Sequence, residues 1–393
     1  MRVLTYTALF PNSAQKSLGI FNYQKMMNFA RRPGNQVVVV APLPFSPAWL
    51  GGRWKTISAI PRAEQIGELT VYHPRYFLLP KISLPFHGLL MFLGSYLLVQ
   101  RLHRETAFDC IDAHYVYPDS FAAILIGKLL RLPVIVSAHG SDINLFGTYR
   151  MIRPMIRWTL KNAAGCLAVS RALVERMREL GADVNTSREI GNGVDTTRFH
   201  PANRKAARAQ LGMNDADKIV VCVAALIPLK GHRHLIDAIA ALSAKVPTLH
   251  AYFVGEGPER QRLEIQAMQA GIFDRIHFAG QRPYDELPLW YSAADASCLL
   301  SSREGWPNVI LESLACGTPV IATNVGSVRE ILVSQELGAI VPQTPADVAL
   351  ALAAALDRTW DRDFILAYAR KRTWETVAQE LEEELEDDLR KFS

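Results

Sequence analysis

The sequence predicts a two-domain α/β protein, each domain built on a doubly wound, mostly parallel sheet. Three observations predict it. Short apolar runs recur without the alternation of a half-exposed strand, helix-like stretches separate them, and 393 residues suffice for about two domains with separate cores. A composition of 49% hydrophobic and 21% charged residues excludes a disordered or fibrous chain.

In chain order, a strand at 3–6 and a loop over 11–19 lead into a helical stretch within 14–31, then a strand at 37–41. A further strand ends at Asp112-Ala113-His114-Tyr115. Strands at 134–138 and 166–169 alternate with helices at 120–130 and 171–180. Strands at 219–225, 250–254, 296–300 and 319–322 follow, with helices at 232–245 and 258–270. Gly, Asn and Pro cluster at Gly191-Asn192-Gly193-Val194-Asp195 and Phe199-His200-Pro201, so the boundary is placed at 197. The expected domains are 1–197 and 198–372, followed by a terminal helix at 373–393. Residues 374–391 hold eight Asp and Glu against two Lys and Arg, which reads as a solvated helical face. No repeat and no low-complexity segment is visible.

Charge divides unevenly. Residues 1–197 hold 22 Lys and Arg against 12 Asp and Glu, a net +10; residues 198–393 hold 21 against 26, a net −5. The basic half points to an anionic membrane surface or substrate. Residues 84–99 are the most hydrophobic stretch, shorter than the ~20 residues a membrane span needs, and leave an amphipathic, partly membrane-facing helix open. The start of the chain lacks a signal-peptide pattern. The five cysteines are widely spaced without a CxxC pair, which suits core thiols in a reducing cytoplasm.

The residues that can carry chemistry follow strands. Glu304-Gly305-Trp306-Pro307-Asn308-Val309 leads from a buried strand into a helix beginning near Asn308, whose first N–H groups suit a diphosphate. Glu304 and Glu312 flank those donors; carboxylates repel phosphate but suit sugar and ribose hydroxyls, or else are cap and surface residues. Lys230, in Pro228-Leu229-Lys230-Gly231-His232, follows another strand and can neutralise a leaving diphosphate. Gly255-Glu256-Gly257-Pro258 ends a third, where glycine lets the backbone approach a ligand and Pro258 suits a first helical turn. In the first half, His139 ends the strand at 134–138, in His139-Gly140-Ser141-Asp142, and is expected to face an inter-domain cleft. Gly19 precedes the first helix and is expected beside a phosphate or the acceptor. His114 is a weaker candidate. GxSxG, HExxH and Walker motifs are absent. Asp215-Ala216-Asp217 and Asp361-Arg362-Asp363 lie in polar stretches, so no metal site is expected.

Glu304 and Glu312 with their seven intervening residues, Lys230-Gly231, Gly255-Glu256-Gly257-Pro258, His139 to Asp142 and Asn192 to Asp195 together resemble family-4 glycosyltransferases. The resemblance spans residues 1 to about 385 and leans toward bacterial members that build exopolysaccharide or teichuronic-acid-like polymers. It implies the GT-B fold, two Rossmann-like domains facing a central cleft, and retention of anomeric configuration without a required metal or other cofactor. It implies a UDP- or GDP-sugar donor held by the second domain and a lipid-linked or oligosaccharide acceptor held by the first. Lys230 would bind the leaving diphosphate, Glu304 the transferred sugar, Glu312 the ribose, and His139 the donor sugar. Gly19, Gly255, Glu256, Gly257, Arg282, Arg303, Gly305, Trp306, Pro307, Asn308 and Val309 would complete the donor site, with His114 and Asp142 on the acceptor side. The terminal helix would close back onto the first domain. A peripheral location on the inner membrane face is expected, and no nucleic-acid partner.

One departure stands out. The family's arginine five residues before the lysine is Ala225 here. Arg303, His232 and Arg233 are the possible substitutes. Two other readings share the fold: a sugar-nucleotide epimerase, and a non-catalytic nucleotide-sugar-binding subunit, which the loss at Ala225 keeps open.

Overall fold

Strands that lie between two helical layers must be buried on both faces, and the central strands here are. β1 (Arg2–Tyr6), β2 (Gln36–Val40), β3 (Leu43–Pro44), β4 (Ala63–Ile66), β5 (Leu69–Tyr72) and β6 (Arg75–Tyr76) precede β7 (Cys110–His114), β8 (Val134–Ala138), β9 (Gly165–Ala168) and β10 (Ser187–Glu189). β7, β8 and β9 are buried at every position. The computed structural model describes residues 1–45, 52–78 and 84–392. The first sheet has the order β10-β9-β8-β7-β1-β2-β5-β4, parallel except for β4 against β5, and β3 pairs separately with β6.

The second sheet holds β11 (Lys218–Val223), β12 (Leu249–Val254), β13 (Ile276–Gly280), β14 (Ala296–Leu299), β15 (Val320–Thr323) and β16 (Gly338–Val341). Its order is β13-β12-β11-β14-β15-β16, and every pairing is parallel. The order reverses beside β11, so the loops after β11, β12 and β14 open at a topological switch point. The chain falls into two compact units, Met1–Asn192 with Trp374–Ser393, and Gly193–Thr373.

The terminal helix Trp374–Phe392 belongs to the first unit. Trp374, Val377, Ala378, Leu381 and Leu385, spaced along one helical stripe, are buried with Met26 and Phe29 of the helix Ile20–Arg31. Its acidic residues are only partly the solvated face expected. Glu382 pairs with Arg32 and accepts from Asn35 at 2.6 Å, and Asp388 is buried against Gly165.

The first helix starts at Ile20, six residues later than the earliest sequence bound of 14. The side chain of Asn12 accepts from the amides of Ala14 and Gln15 and holds that segment in a turn. Likewise Pro258 lies in a turn ahead of the helix Arg260–Gln269 rather than within its first turn. All five cysteines are free and buried. No helix among the described residues is long and apolar enough to cross a membrane.

Candidate active site

In the second unit, Lys230 and Glu304 meet because two loops lie flat on each other. Lys230 ends the turn Pro228–Lys230, and Gly231 follows with φ 68°. A Cβ at Gly231 would stand 2.0 Å from the Leu300 carbonyl, so only glycine lets this turn touch the loop after β14. Ser302 N donates to Leu229 O at 2.9 Å and locks the contact. Lys230 Nζ then lies 2.6 Å from Glu304 Oε1, and the Ser301 hydroxyl donates to the same oxygen at 2.5 Å. The loop after β15 backs Glu304: a Cβ at Gly326 would meet its carbonyl at 2.3 Å, and Ser327 donates to Gly305 O at 2.9 Å.

The helix Asn308–Ala315 starts where the sequence puts it, and Pro307 gives it no side-chain cap. The Ile310 amide donates to Pro307 O at 3.0 Å. The Trp306 indole N–H is buried without a hydrogen-bond partner among the described residues. Glu312, on this helix, is buried rather than a surface residue. It accepts from the hydroxyls of Tyr284 at 3.1 Å and Tyr291 at 3.2 Å. Burial pushes its pKa up to about 7 against the pull of those two bonds. The repulsion that two carboxylates would exert on a phosphate is thus muted twice: Lys230 compensates Glu304, and Glu312 sheds much of its charge near neutral pH.

Other candidates have different surroundings from those expected. A Cβ at Gly255 would meet Ala224 O at 2.0 Å, and one at Gly257 would meet Leu226 O at 2.3 Å. At both positions the side that a Cβ would occupy is filled by neighbouring protein backbone. Glu256 is paired with Arg260 at 2.9 Å. Arg282 lies over the Trp290 ring, 5.6 Å from its centroid, and reaches Glu286 at 4.0 Å. Among the substitutes for the missing arginine, His232 fails as a cation: it is buried against Phe253, and burial followed by the charge of Lys230 lowers its pKa to about 4. Arg233 is exposed, with Nε 3.2 Å from His234. Arg303 is exposed in the loop that carries Glu304, and Ala225 is exposed too.

In the first unit, His139 closes β8. Its Nε2 is 3.2 Å from His114 Nδ1, and its ring packs on Phe21, centroids 4.9 Å apart, just after Gly19. Gly19 has φ 59°, and a Cβ there would stand 2.0 Å from Leu9 O, so again the close neighbour is the chain itself. Burial, then the neighbouring His114 and Lys25, hold His139 well below the usual histidine range, so it is neutral. His114 is fully buried, its Nε2 3.0 Å from Asp112 Oδ2 but without hydrogen-bond alignment. Asp142 is fully buried and accepts from the amides of Val116, His139 and Gly140. His114 and Asp142, expected on the acceptor side, are both fully buried. They hold His139 and its loop in place.

The two Asp-x-Asp segments are structural: Asp361 caps the helix Arg362–Ala369, and the Asp215 and Asp217 carbonyls accept from Arg208. Sequence reasoning missed Tyr284, Tyr291 and Ser301. Ser301 adjoins the glutamate loop and was within reach of that reading. Tyr291 sits in the apolar run 287–294 and reads as core.

The profile of the family described as Glycosyl transferases group 1 matches residues 203–372, and that of Glycosyltransferase Family 4 matches residues 25–198. The chain is 28% identical to the teichuronic acid biosynthesis glycosyltransferase TuaC of Bacillus subtilis, over 91% of this chain and 89% of that one. It is 30% identical to D-inositol 3-phosphate glycosyltransferase of Corynebacterium glutamicum, over 81% of each. The solved structure of Anabaena Alr3699/HepE in complex with UDP superposes with a TM-score of 0.75 at 21% identity, covering 98% of this chain and 100% of that one.

Proposed function

Since the chain belongs to the family-4, group 1 glycosyltransferases of the GT-B fold, we propose that it moves a sugar from a nucleotide-sugar donor to a lipid-linked or growing cell-surface glycan, with retention of anomeric configuration. The observation that carries this reading is the Lys230–Glu304 pair, 2.6 Å apart, with Glu304 in the loop that leads into the helix Asn308–Ala315. In this reading the helix amides and Lys230 take the diphosphate. Lys230 stabilises the charge that grows as the nucleoside diphosphate leaves. Glu304, freed from Lys230, turns to the hydroxyls of the transferred sugar, while Glu312 takes the ribose and the neutral His139 a donor-sugar hydroxyl. No metal enters the scheme.

Arg303 supplies the second cation in place of the arginine lost at Ala225, since His232 is buried and neutral. A UDP-sugar is the favoured donor, in keeping with the UDP bound in the Anabaena structure, with a GDP-sugar next. The name of the Bacillus relative and the net +10 of residues 1–197 support an envelope glycan acceptor and a place on the anionic inner membrane face.

A thermal-shift screen with UDP-, GDP-, ADP- and TDP-sugars, repeated on Glu304→Ala, tests the donor site. A shift with one nucleotide that shrinks in the variant is the expected result. No shift with any donor would favour the non-catalytic reading instead.

A further inference from the structure

The helix His87–Thr106 buries Met91, Ser95, Val99 and Leu102 on one stripe. Its other face is not polar. Phe86, Leu89, Leu93 and Leu97, spaced three and four apart, are 58%, 44%, 63% and 74% exposed. Four large apolar side chains in one exposed row are unusual for a water-facing helix. One turn further the same row ends in Arg101.

Arg101 also borders a cavity of about 340 Å³ between this helix and the strands at the sheet edge, lined by Arg62, Tyr72, Arg75, Gly94 and Leu98 as well. Arg75 donates through Nη2 to Ile60 O, while its Nη1 is buried without a partner among the described residues. Burial and the nearby charge of Arg62 both pull the Arg75 pKa down, so two like charges are held together. The nearby carboxylates do not relieve them. Glu64 is taken by His73 at 2.9 Å and by the Ser13 amide, and Glu105 reaches Arg101 only at 3.8 Å on the open surface. Three guanidinium groups around one cavity, one with an unanswered N–H group, match a phosphate.

We propose that this cavity binds the phosphate headgroup of an anionic lipid, and that Leu89, Leu93 and Leu97 enter the acyl layer beside it. A lipid, rather than a free phosphate, accounts for the apolar row that runs into the cavity. Insertion would bury apolar side chains now left in water, and the basic first unit would be drawn to the anionic surface. The assignment rests on the membrane part of the proposed function and not on the donor site.

The test is sedimentation of the full chain with vesicles of phosphatidylcholine alone or mixed with phosphatidylglycerol, at low and high salt. Wild type is compared with Arg62→Gln/Arg101→Gln and with Leu93→Gln/Leu97→Gln, all at exposed positions. The arginine pair should lose roughly 25-fold in partition to the anionic vesicles. The leucine pair should lose at least about ten-fold on both vesicle types. Anionic binding that is equal in wild type and the arginine variant would overturn the cavity assignment. Failure of wild type to sediment would overturn it together with the membrane reading. Glycerol 3-phosphate binding as tight as the vesicles, and unchanged in the leucine variant, would make the site one for a soluble phosphate and overturn the lipid. The thermal shift with donor should persist in both variants, so its presence or absence judges the donor reading separately.

Discussion

Lys230 and Glu304, 74 residues apart in the chain, share one short contact: Nζ lies 2.6 Å from Oε1, with the Ser301 hydroxyl on the same oxygen. In the proposed reaction the pair is a charge reserve that a donor diphosphate draws on. Lys230→Ala and Glu304→Ala should each lower kcat/KM by about 10²–10³-fold. The double variant should lose much less than the product of the two, because both losses remove one unit. A double-mutant cycle on initial transfer rates checks this, with circular dichroism to show the fold intact.

Glu312 should make stability fall with rising pH. Its folded pKa, about 7, lies above the ordinary glutamate value of 4.5. The folded state therefore binds the extra proton, and stability present below about pH 4.5 is lost as pH rises toward 7. Glu312→Gln removes that slope. Relative to wild type it should gain up to about 3 kcal/mol at pH 8 over pH 4, read from Tm across the range. An unchanged slope would mean that the carboxylate is ionised in the fold.

Arg303→Gln should raise the donor KM by about ten-fold with kcat little changed, as for a lost charged phosphate contact. His232→Gln should leave the salt dependence of donor binding as it was, because a neutral ring contributes no charge to it. Titration of binding against ionic strength separates the two.

His139 is held neutral by burial and its neighbours. The pH profile of kcat/KM should therefore lack a limb near pH 6.5 from this residue. His114→Ala, which removes the neighbour 3.2 Å away, should lower kcat/KM through misplacement of His139 and shift the His139 ring resonances in NMR spectra. A variant with unchanged resonances would reduce His114 to a packing residue.

Leu381→Ala, in the terminal helix, should cost about 2–5 kcal/mol. Deletion of 374–393 should expose the face of Met26 and Phe29 and favour aggregation. Chemical denaturation and light scattering check these outcomes.

That Lys230 and Glu304 lie on loops directly after strands of one sheet was legible in the sequence, because a doubly wound sheet opens there, but their contact with each other was not. The partners of Glu312 were not legible: Tyr284 and Tyr291 reach it across separate elements, and no spacing reveals which ring hydroxyl meets which carboxylate. Gly19, Gly255 and Gly257 each also admit neighbouring backbone, which the sequence did not show, since a glycine signals close approach without naming what approaches. The burial of His114 was hidden for a related reason. The end of a strand can point into solvent or into the layer of helices, and only packing decides.

The return of the helix Trp374–Phe392 to the first unit makes the second unit an insertion in the chain's order. On a ribosome, residues 193–373 can complete their fold before the earlier residues 1–192 acquire their last buried surface. The piece made first is finished last. Its apolar face over Met26 and Phe29 waits uncovered through the synthesis of the whole second unit.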